Sequence, residues 1–342
     1  MMKVCMVTKF PPIQGGIAAR SYWLARSLAE SGVEITVITN SESVEPEYRI
    51  PRCEEHLASF ANIKILSTGS EVPWHIPVSQ TYCERLLTLT LDQIESRGVQ
   101  VVDAGFLVPY GVVAFMASRV TGVPYVLRHG DSDLAKFLHN PQYRSLLELV
   151  VGNASLVITD EEHSDILRPL NSRLLVTSAY IPDPRYFHPG VSACRRVPVV
   201  GYFGKINYHW NHKRLGELVN QVDSTFGEYK LVFVAQGIGL SPFRQSLRDE
   251  VTERAEFRPF VPPWEMPRAI KSVDYVMAAR DEVIRSPSNL EAEAVACGKG
   301  LILLGEKSPV MGGAANDGGS FPEWIETNIS AYSHVISSCV DR

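Results

Sequence analysis

One short stretch of the chain combines a hydroxyl and carboxylates at a spacing that suits the start of a helix. Ser288 and Glu291 have the Ser-x-x-Glu spacing of a capping box, and Gly298 fits as the residue that ends the helix. Apolar runs at 273–277 and 301–304 flank this helix and predict two buried strands. A helix that begins at the carboxyl edge of a parallel sheet offers N–H groups and a positive dipole end. Both suit a phosphate group.

Two other loops carry residues that fit the same chemistry. Gly15 and Gly16 follow an apolar run at 3–9, where the lack of side chains lets backbone approach a ligand closely. Without a GxGxxG pattern, a plain tight turn explains this pair as well as a phosphate loop does. Lys205 and Lys213 lie at the two ends of a later loop, and they could neutralise a phosphate or belong to a solvated loop.

His129 is the candidate for chemistry at a reacting centre. It directly follows the apolar run 124–127, and ligands of open α/β sheets bind at the carboxyl ends of strands. A structural role for a single histidine is the alternative. The loop also contains His209, Trp210 and His212, which we interpret as solvated because no further metal ligand lies close in sequence. No HExxH, CxxC or clustered aspartate pattern is present, and we expect no metal site.

The pattern of elements predicts an α/β protein with two domains. A strand at 3–9, a helix from Ile17 to Gly32 and a strand at 33–39 form a βαβ unit, which predicts a parallel sheet. The alternation restarts at Val197, after a proline-rich stretch that we interpret as the interdomain linker. We expect the first domain at 1–185 and the second at 195–320. A helix at about 321–342 would join the first domain. Ser241 to Arg254 is predicted to be one helix.

The bulk composition excludes several classes of protein. The chain has 342 residues, a formal net charge of −5, 45% hydrophobic and 21% charged residues, typical of a soluble globular protein. The absence of a long basic run argues against a nucleic-acid partner and allows at most peripheral membrane contact. Six scattered cysteines and a short N-terminal apolar run favour reduced thiols and a cytoplasmic location. No apolar run is long enough to span a bilayer.

The stretch Ser286 to Gly300 resembles the donor-binding segment of the family 4 (group 1) retaining glycosyltransferases, which adopt the GT-B fold of two facing Rossmann-like domains. That family has a glutamate, seven residues, and then Glu-Ala-x-Ala-Cys-Gly. Glu293-Ala-Val-Ala-Cys-Gly298 matches the second part. Arg285 stands where the family has its first glutamate.

The resemblance extends over most of residues 3–304 and implies further site residues. The opening Pro-Pro-x-x-Gly-Gly-Ile resembles the loop that faces the donor diphosphate, and His129-Gly-x-x-Asp-Leu resembles the segment with the active-site histidine. Lys205 replaces the family's diphosphate-binding arginine, and a lysine makes a point-charge contact in place of a bidentate one. Lys213 matches the family lysine. Backbone near Phe260 and Val261 would face the nucleotide base.

The resemblance also implies an activity. It predicts transfer of a sugar, with retention of anomeric configuration, from a nucleotide-diphosphate donor that we expect to be a UDP-sugar. The acceptor would be a hydroxyl of a sugar, lipid-linked or small molecule. Neither a cofactor nor a metal would be required. His129 would contact the donor sugar, and the remaining predicted donor-binding residues are Gly15, Gly16, Lys205, Lys213, Arg285, Ser288, Asn289, Leu290 and Glu293.

Arg285 leaves more than one interpretation open. It could pair with a carboxylate on the donor sugar or with the diphosphate, or a local gap could bring Glu282 into the family role. The site could also have lost its sugar contact, which would make the chain a catalytically silent binding or scaffold subunit. A sugar-nucleotide epimerase or phosphorylase on the same fold is the other alternative, because a fold does not fix a function.

Overall fold

The structure of the protein is a computed structural model, and it contains two α/β units built from parallel sheets. The residues that it describes are 1–51, 53–69, 78–129, 134–190, 195–207, 211–278, 288–306, 308–311 and 319–340.

The first unit is a seven-stranded sheet in which every pair of neighbouring strands is parallel, in the order β3-β2-β1-β4-β5-β6-β7. Its strands are β1 (Lys3–Val7), β2 (Glu34–Thr39), β3 (Ile63–Ser67), β4 (Val101–Ala104), β5 (Tyr125–Arg128), β6 (Leu156–Thr159) and β7 (Leu174–Val176). The strand order reverses direction between β1 and β4, and such a switch point opens a crevice at the carboxyl ends of the strands.

The second unit is a six-stranded sheet in the order β10-β9-β8-β11-β12-β13. Its strands are β8 (Val199–Lys205), β9 (Lys230–Gln236), β10 (Ala255–Arg258), β11 (Tyr275–Ala278), β12 (Gly300–Leu303) and β13 (Val310–Met311). All pairs are parallel except β12 with β13, which is antiparallel. The switch point lies between β8 and β11.

Helices connect the strands. In chain order they are α1 (Gly16–Glu30), α2 (Glu54–Ala58), α3 (Val78–Arg97), α4 (Val112–Thr121), α5 (Pro141–Asn153), α6 (Glu161–Leu167), α7 (Asn211–Thr225), α8 (Leu240–Ser246), α9 (Asp249–Glu253), α10 (Met266–Lys271), α11 (Asn289–Ala296) and α12 (Phe321–Val340). Short turns of helix also lie at 41–43, 46–48, 107–111 and 134–138.

The predicted fold class is confirmed, and the differences are local. The single helix predicted from Ser241 to Arg254 is wrong: Leu247 and Arg248 have extended backbone, with ψ of 144° and 148°, which separates α8 from α9. The extended pair lets α9 begin with two acidic residues in its own first turn, where the helix dipole favours them. Strands β7 and β13 were not predicted, since runs of three and two residues carry no readable periodicity.

The last helix packs on the first sheet through a buried polar network. Arg128 at the end of β5 donates from Nε to Asp103 Oδ2 of β4 at 2.8 Å, and its Nη2 donates to Asn328 Oδ1 and Tyr332 Oη of α12 at 2.6 and 3.0 Å. Tyr332 also donates a hydrogen bond to Asp103. Trp324 Nε1 adds a bond to the Ser178 carbonyl at 2.9 Å. These contacts hold α12 to strands at the centre of the first sheet.

A continuous apolar cluster joins the two units. It includes Trp23 of α1 and Phe187 of the proline-rich linker, together with Phe203 of β8, Trp264 and Val276 of the second unit. Trp264 stacks on His56 at a centroid distance of 3.9 Å, and the Tyr22 hydroxyl is hydrogen-bonded to His56 Nε2 at 2.9 Å. Burial of this shared surface holds the crevice between the sheets at a defined width. Among the described residues, no helix has the length and apolar character that crossing a membrane requires.

Candidate functional site

Helix α11 begins with the capping box that the sequence predicts. Ser288 Oγ accepts a hydrogen bond from the Glu291 N–H at 3.3 Å, and Glu291 Oε1 accepts from the Ser288 N–H at 3.2 Å. The box satisfies the third N–H of the helix. The N–H groups of Asn289 and Leu290 have no acceptor within the helix, by the geometry of a helix start. This end of α11 is therefore suited to an anion.

The Gly15–Gly16 turn of the first unit touches the start of α11 from across the crevice. Asn289 Nδ2 donates to the Gly16 carbonyl at 2.8 Å. A Cβ on Gly15 would lie 3.3 Å from Nζ of Lys205, and a Cβ on Gly16 would lie 3.4 Å from Asn289 Nδ2. Gly15 also has φ of +136°, a conformation that favours glycine. The structure thus places four predicted site residues next to one another: Gly15, Gly16, Lys205 and Asn289.

Lys205 reaches this contact from the end of β8. Its Nζ lies 5.2 Å from the centre of the Tyr48 ring, and Tyr48 Oη donates to Asn207 Oδ1 at 2.8 Å. Burial and the positive charge of Lys9 together lower the pKa of Lys205 to about 8, although the negative charge of Glu45 opposes the shift. A cation that is partly desolvated beside a second cation gains strongly from an approaching anion. These surroundings therefore favour binding of a negatively charged ligand.

Lys213 does not share this environment. Its side chain is 90% exposed in the first turn of α7, with Nζ 3.9 Å from Glu217 Oε1. Residues 208–210, which include His209 and Trp210, lie outside the described residues, and the side chain of His212 is not described. Arg285 and Glu282 also lie outside the described residues. Their predicted roles stay predictions.

Glu293 is buried on α11 and contacts the segment before the linker. It is 5% exposed, and its Oε1 accepts a hydrogen bond from Tyr180 Oη at 3.0 Å. Burial raises the pKa of Glu293 to about 8, although the Tyr180 hydrogen bond acts to lower it. The carboxyl group is therefore mostly protonated at neutral pH. Its hydrogen-bond partner, Tyr180, lies in the segment directly before the interdomain linker.

The other predicted donor contacts surround this helix. Leu290 is partly buried against the shared apolar cluster, and Phe260, 9% exposed, belongs to the same cluster. Val261 is half-buried beside it. Phe260 and Val261 follow β10 closely, so their backbone lies at the carboxyl edge of the second sheet. This position agrees with the edge at which α11 begins.

His129 lies at the carboxyl edge of the first sheet, directly after β5. It is 6% exposed, and its Nε2 lies 2.8 Å from Thr159 Oγ1 at the end of β6. Its carbonyl accepts from Arg20 Nη2 of α1 at 3.2 Å. The Gly130, Asp131 and Asp133 segment that follows lies outside the described residues. His129 is thus tied to the helix that begins with the Gly15–Gly16 turn.

Two residues near His129 were missed in the sequence. Asp160 caps α6, and its Oδ1 lies 2.7 Å from Nδ1 of His163; the His163 ring packs edge-on against His129 at a centroid distance of 5.0 Å. Burial acts to raise the pKa of Asp160, but the hydrogen bond and charge of His163 lower it below its usual range. Asp160 follows β6 as His129 follows β5, so the rule that selected His129 also points to it.

The described part of the chain includes two open cavities of different size. One, of about 560 Å³, lies at the end of β9 and is lined by Gln236, Gly237, Arg244 and Phe257 of the second unit and by Glu47 of the first. The larger one, of about 790 Å³, lies between α12 and the segments before the edge strand β7 and its neighbour β6. None of the predicted site residues lines the larger cavity. The smaller one lies between the two units, on the side of the second sheet that carries the predicted site.

The comparisons with known proteins agree with this architecture. No model of a known protein family matches the sequence, and no curated protein matches it. Sucrose-phosphate synthase from Thermosynechococcus elongatus is similar in structure, with a TM-score of 0.63 and 13% identity over 99% of this chain and 93% of that one. Anabaena Alr3699/HepE in complex with UDP-glucose is similar at a TM-score of 0.64 and 14% identity over 100% and 95%.

A third similar structure is a UDP-N-acetylglucosamine 2-epimerase, with a TM-score of 0.55 and 9% identity over 88% of this chain and 78% of that one. Identities this low show a common fold. The chain has the GT-B fold, in which two Rossmann-like domains face each other across a crevice.

Proposed function

We propose that the protein transfers a sugar from a nucleotide-diphosphate donor, a UDP-sugar, to an acceptor hydroxyl. The observation that carries this proposal is the convergence of Lys205, the Gly15–Gly16 turn and Asn289 at the start of α11. A cation, a turn without side chains and a helix N-terminus are three groups that suit a diphosphate. The structural likeness to a protein in complex with UDP-glucose supports the choice of nucleotide.

The diphosphate would bind between the two domains. The N–H groups of Asn289 and Leu290 would donate hydrogen bonds to the phosphate oxygens, and Lys205 would neutralise the charge of the phosphates. Lys213 would add a second charge if its exposed side chain folds towards the crevice. With these groups in place, no divalent ion is needed at the diphosphate, because the charge of the leaving group is already balanced.

The nucleoside would occupy the second domain. Backbone at Phe260 and Val261 would face the base. Glu293 would accept hydrogen bonds from the ribose, which requires it to exchange the Tyr180 hydroxyl for a ribose hydroxyl. Because Tyr180 precedes the linker, this exchange would couple donor binding to the hinge between the domains.

Catalysis in such a site consists of positioning and stabilisation of the leaving group. Lys205 would stabilise the departing phosphate, and His129 on the opposite face of the crevice would contact the donor sugar. The acceptor, a sugar, a lipid-linked or a small molecule, would bind to the first domain. We propose retention of the anomeric configuration. We also propose domain bounds of 1–185 with 321–342, and 195–320, and a cytoplasmic location.

Thermal unfolding of the purified chain with a panel of nucleotides tests the proposal. A ligand that binds only the folded state at about 100 times its Kd adds about 2.7 kcal/mol to the free energy of unfolding. We expect UDP and UDP-sugars to raise Tm, and Lys205→Ala to abolish the increase. Lys230→Ala, which removes an exposed lysine at the start of β9, is the matched control and should leave the increase unchanged. A panel in which no nucleoside diphosphate raises Tm would contradict the proposal.

An epimerase is the second candidate function, because the fold is shared with a UDP-N-acetylglucosamine 2-epimerase. An epimerase forms a new nucleotide sugar without an acceptor, whereas a transferase releases the nucleoside diphosphate only as the sugar moves. Proton NMR of the wild-type chain with each UDP-sugar, without acceptor, separates the two. A second nucleotide sugar in the mixture would favour the epimerase.

A further inference from the structure

Three side chains that suit a metal ion meet at the carboxyl edge of the first sheet. His129, Asp160 and His163 each offer one ligand atom, and these atoms lie within 4.8 Å of one another. Strands β5 and β6 are parallel neighbours, so the residues that follow them are placed side by side. His163 lies three residues after Asp160 on the first turns of α6, which brings it to the same side.

We propose that His129, Asp160 and His163 bind a divalent transition-metal ion of the Zn²⁺ class. Two imidazoles and one carboxylate are a donor set that Zn²⁺ and related ions prefer, and three protein ligands leave a position open for water or another ligand. This proposal shares His129 with the proposed sugar-transfer site but none of the proposed diphosphate ligands, so ion binding and nucleotide binding are measured separately.

The distances allow an ion after a small adjustment. Ligand atoms of a tetrahedral Zn²⁺ with bonds of about 2.0 Å lie about 3.3 Å apart. Asp160 Oδ1 and His163 Nδ1 are 2.7 Å apart, and no pair of the ligand atoms exceeds 4.8 Å. One pair therefore has to separate slightly and the widest has to close by about 1.5 Å, which side-chain rotations on this scale supply.

The surroundings hold the ligands in place. Thr159 Oγ1 is 2.8 Å from His129 Nε2, and this contact orients the imidazole ring. Metal-binding histidines are commonly oriented by a hydrogen bond at their second nitrogen. Both rings are buried, with 6% and 8% exposure, so they lose little side-chain freedom when an ion binds. Glu161 and Glu162, in the first turn of α6, add negative charge nearby.

The competing explanation is a hydrogen-bonded cluster without an ion. Asp160 with His163, and Thr159 with His129, are each within hydrogen-bond distance already. Such a cluster would stabilise the edge of the sheet and would not bind Zn²⁺ or Co²⁺ above the level of surface histidines. The two explanations differ in stoichiometry and in which variants change binding.

Equilibrium dialysis of the chelator-treated full chain against Zn²⁺, and visible absorption with Co²⁺, test the proposal. We expect one ion per chain. Asp160→Asn should weaken binding more than about tenfold, although asparagine still caps the helix and preserves the fold. Glu161→Gln is the matched control, because it removes the same charge from the next residue. His163→Gln should weaken binding similarly, and the exposed His139→Gln should not.

X-ray absorption of the Zn²⁺-loaded wild type tests the same site without a substitution. It should report two imidazole ligands and oxygen donors at about 2.0 Å. Binding that stays unchanged in Asp160→Asn and His163→Gln, an equal loss in Glu161→Gln, no bound ion, or a ligand set without two imidazoles would each overturn the proposal. Nucleotide-dependent Tm is measured separately, so this failure and a failure of the proposed function are distinguishable.

Discussion

Two cations, the buried Arg128 and the half-buried Lys205, lie at the ends of strands in the two domains, and their surroundings shift their pKa values in opposite directions. Burial alone would lower the pKa of Arg128, but the charge and hydrogen bond of Asp103 outweigh it and raise that pKa. Burial also lowers the pKa of Lys205, to about 8, and there the nearby charge of Lys9 adds to the decrease. Arg128 anchors α12 to the first sheet. Lys205 faces the Gly15–Gly16 turn.

The difference separates a region that stabilises the fold from the region where we propose that a ligand binds. Around Arg128, the charged guanidinium is hydrogen-bonded to Asp103 and Asn328, and Tyr332 is hydrogen-bonded to Asp103, so the network lies within the chain. In the crevice, Lys205 and Glu293 are both displaced towards their neutral forms. Groups perturbed in this way are concentrated at functional sites.

The largest effect is expected from removing Arg128, which holds α12 to the first sheet. Arg128→Met removes one partner of a buried ion pair and leaves Asp103 buried without its counter-charge. Such a loss costs about 3–5 kcal/mol of unfolding free energy. Urea denaturation at neutral pH measures it.

Arg119→Met, the same substitution at an exposed position of α4, is the control and should change the unfolding free energy by less than about 0.5 kcal/mol. If Arg128→Met costs no more than this control, the network is not an anchor and the comparison with the crevice fails.

The second effect concerns the carboxyl group in the crevice. Below the unfolded pKa of Glu293, 4.5, both states are protonated. Between 4.5 and about 8 the unfolded chain ionises while the folded chain keeps its proton, so stability falls by up to ~1.4 kcal/mol per pH unit. Glu293→Gln removes this loss. Its unfolding free energy relative to wild type should rise by about 2–4 kcal/mol from pH 5 to pH 8.

Glu228→Gln, an exposed carboxylate in the loop before β9, provides the comparison at each pH. If the unfolding free energies of wild type and Glu293→Gln change with pH in parallel, Glu293 is ionised in the folded protein. In that case Lys205 would be the one group of the pair whose pKa is shifted towards the neutral form, in contrast to Arg128.

The sequence predicted the features that depend on local pattern. The βαβ alternation, the capping box at Ser288 and the placement of a helix at 321–340 follow from periodicity and turn chemistry, and the structure contains all three. The resemblance to a GT-B family supplied the fold of two facing domains.

The sequence could not predict which groups meet across the crevice. The bond between Asn289 and the Gly16 carbonyl joins residues 273 positions apart, and the network of Arg128 with Tyr332 joins residues 204 apart. The Tyr180 partner of Glu293 is equally remote, at 113 positions. Such pairs depend on how two domains pack, and no local propensity encodes that. The break between α8 and α9 was missed for a different reason, since neither Leu247 nor Arg248 interrupts a helical pattern.

The smallest of the three effects is expected at Lys205, and like the effect of Glu293→Gln it has the opposite sign to that of Arg128→Met. Below pH 8 the amine is charged in both states and the folded chain bears its full desolvation cost. Above pH 8 the folded chain releases the proton first, and the cost disappears as pH approaches the unfolded value of 10.5. Lys205→Met should therefore raise the unfolding free energy by about 1–3 kcal/mol at pH 7, and by less at pH 9.5.

The same substitution should abolish the increase in Tm that UDP produces, because it removes the charge proposed to bind the diphosphate. A gain of stability together with a loss of binding is what a group retained for its ligand gives, whereas a structural residue loses both. Lys213→Met, at a side chain that is 90% exposed, should leave the unfolding free energy within about 0.5 kcal/mol of wild type. If Lys205→Met destabilises the fold and UDP still raises Tm, Lys205 is a structural cation like Arg128. The two regions would then differ only in position.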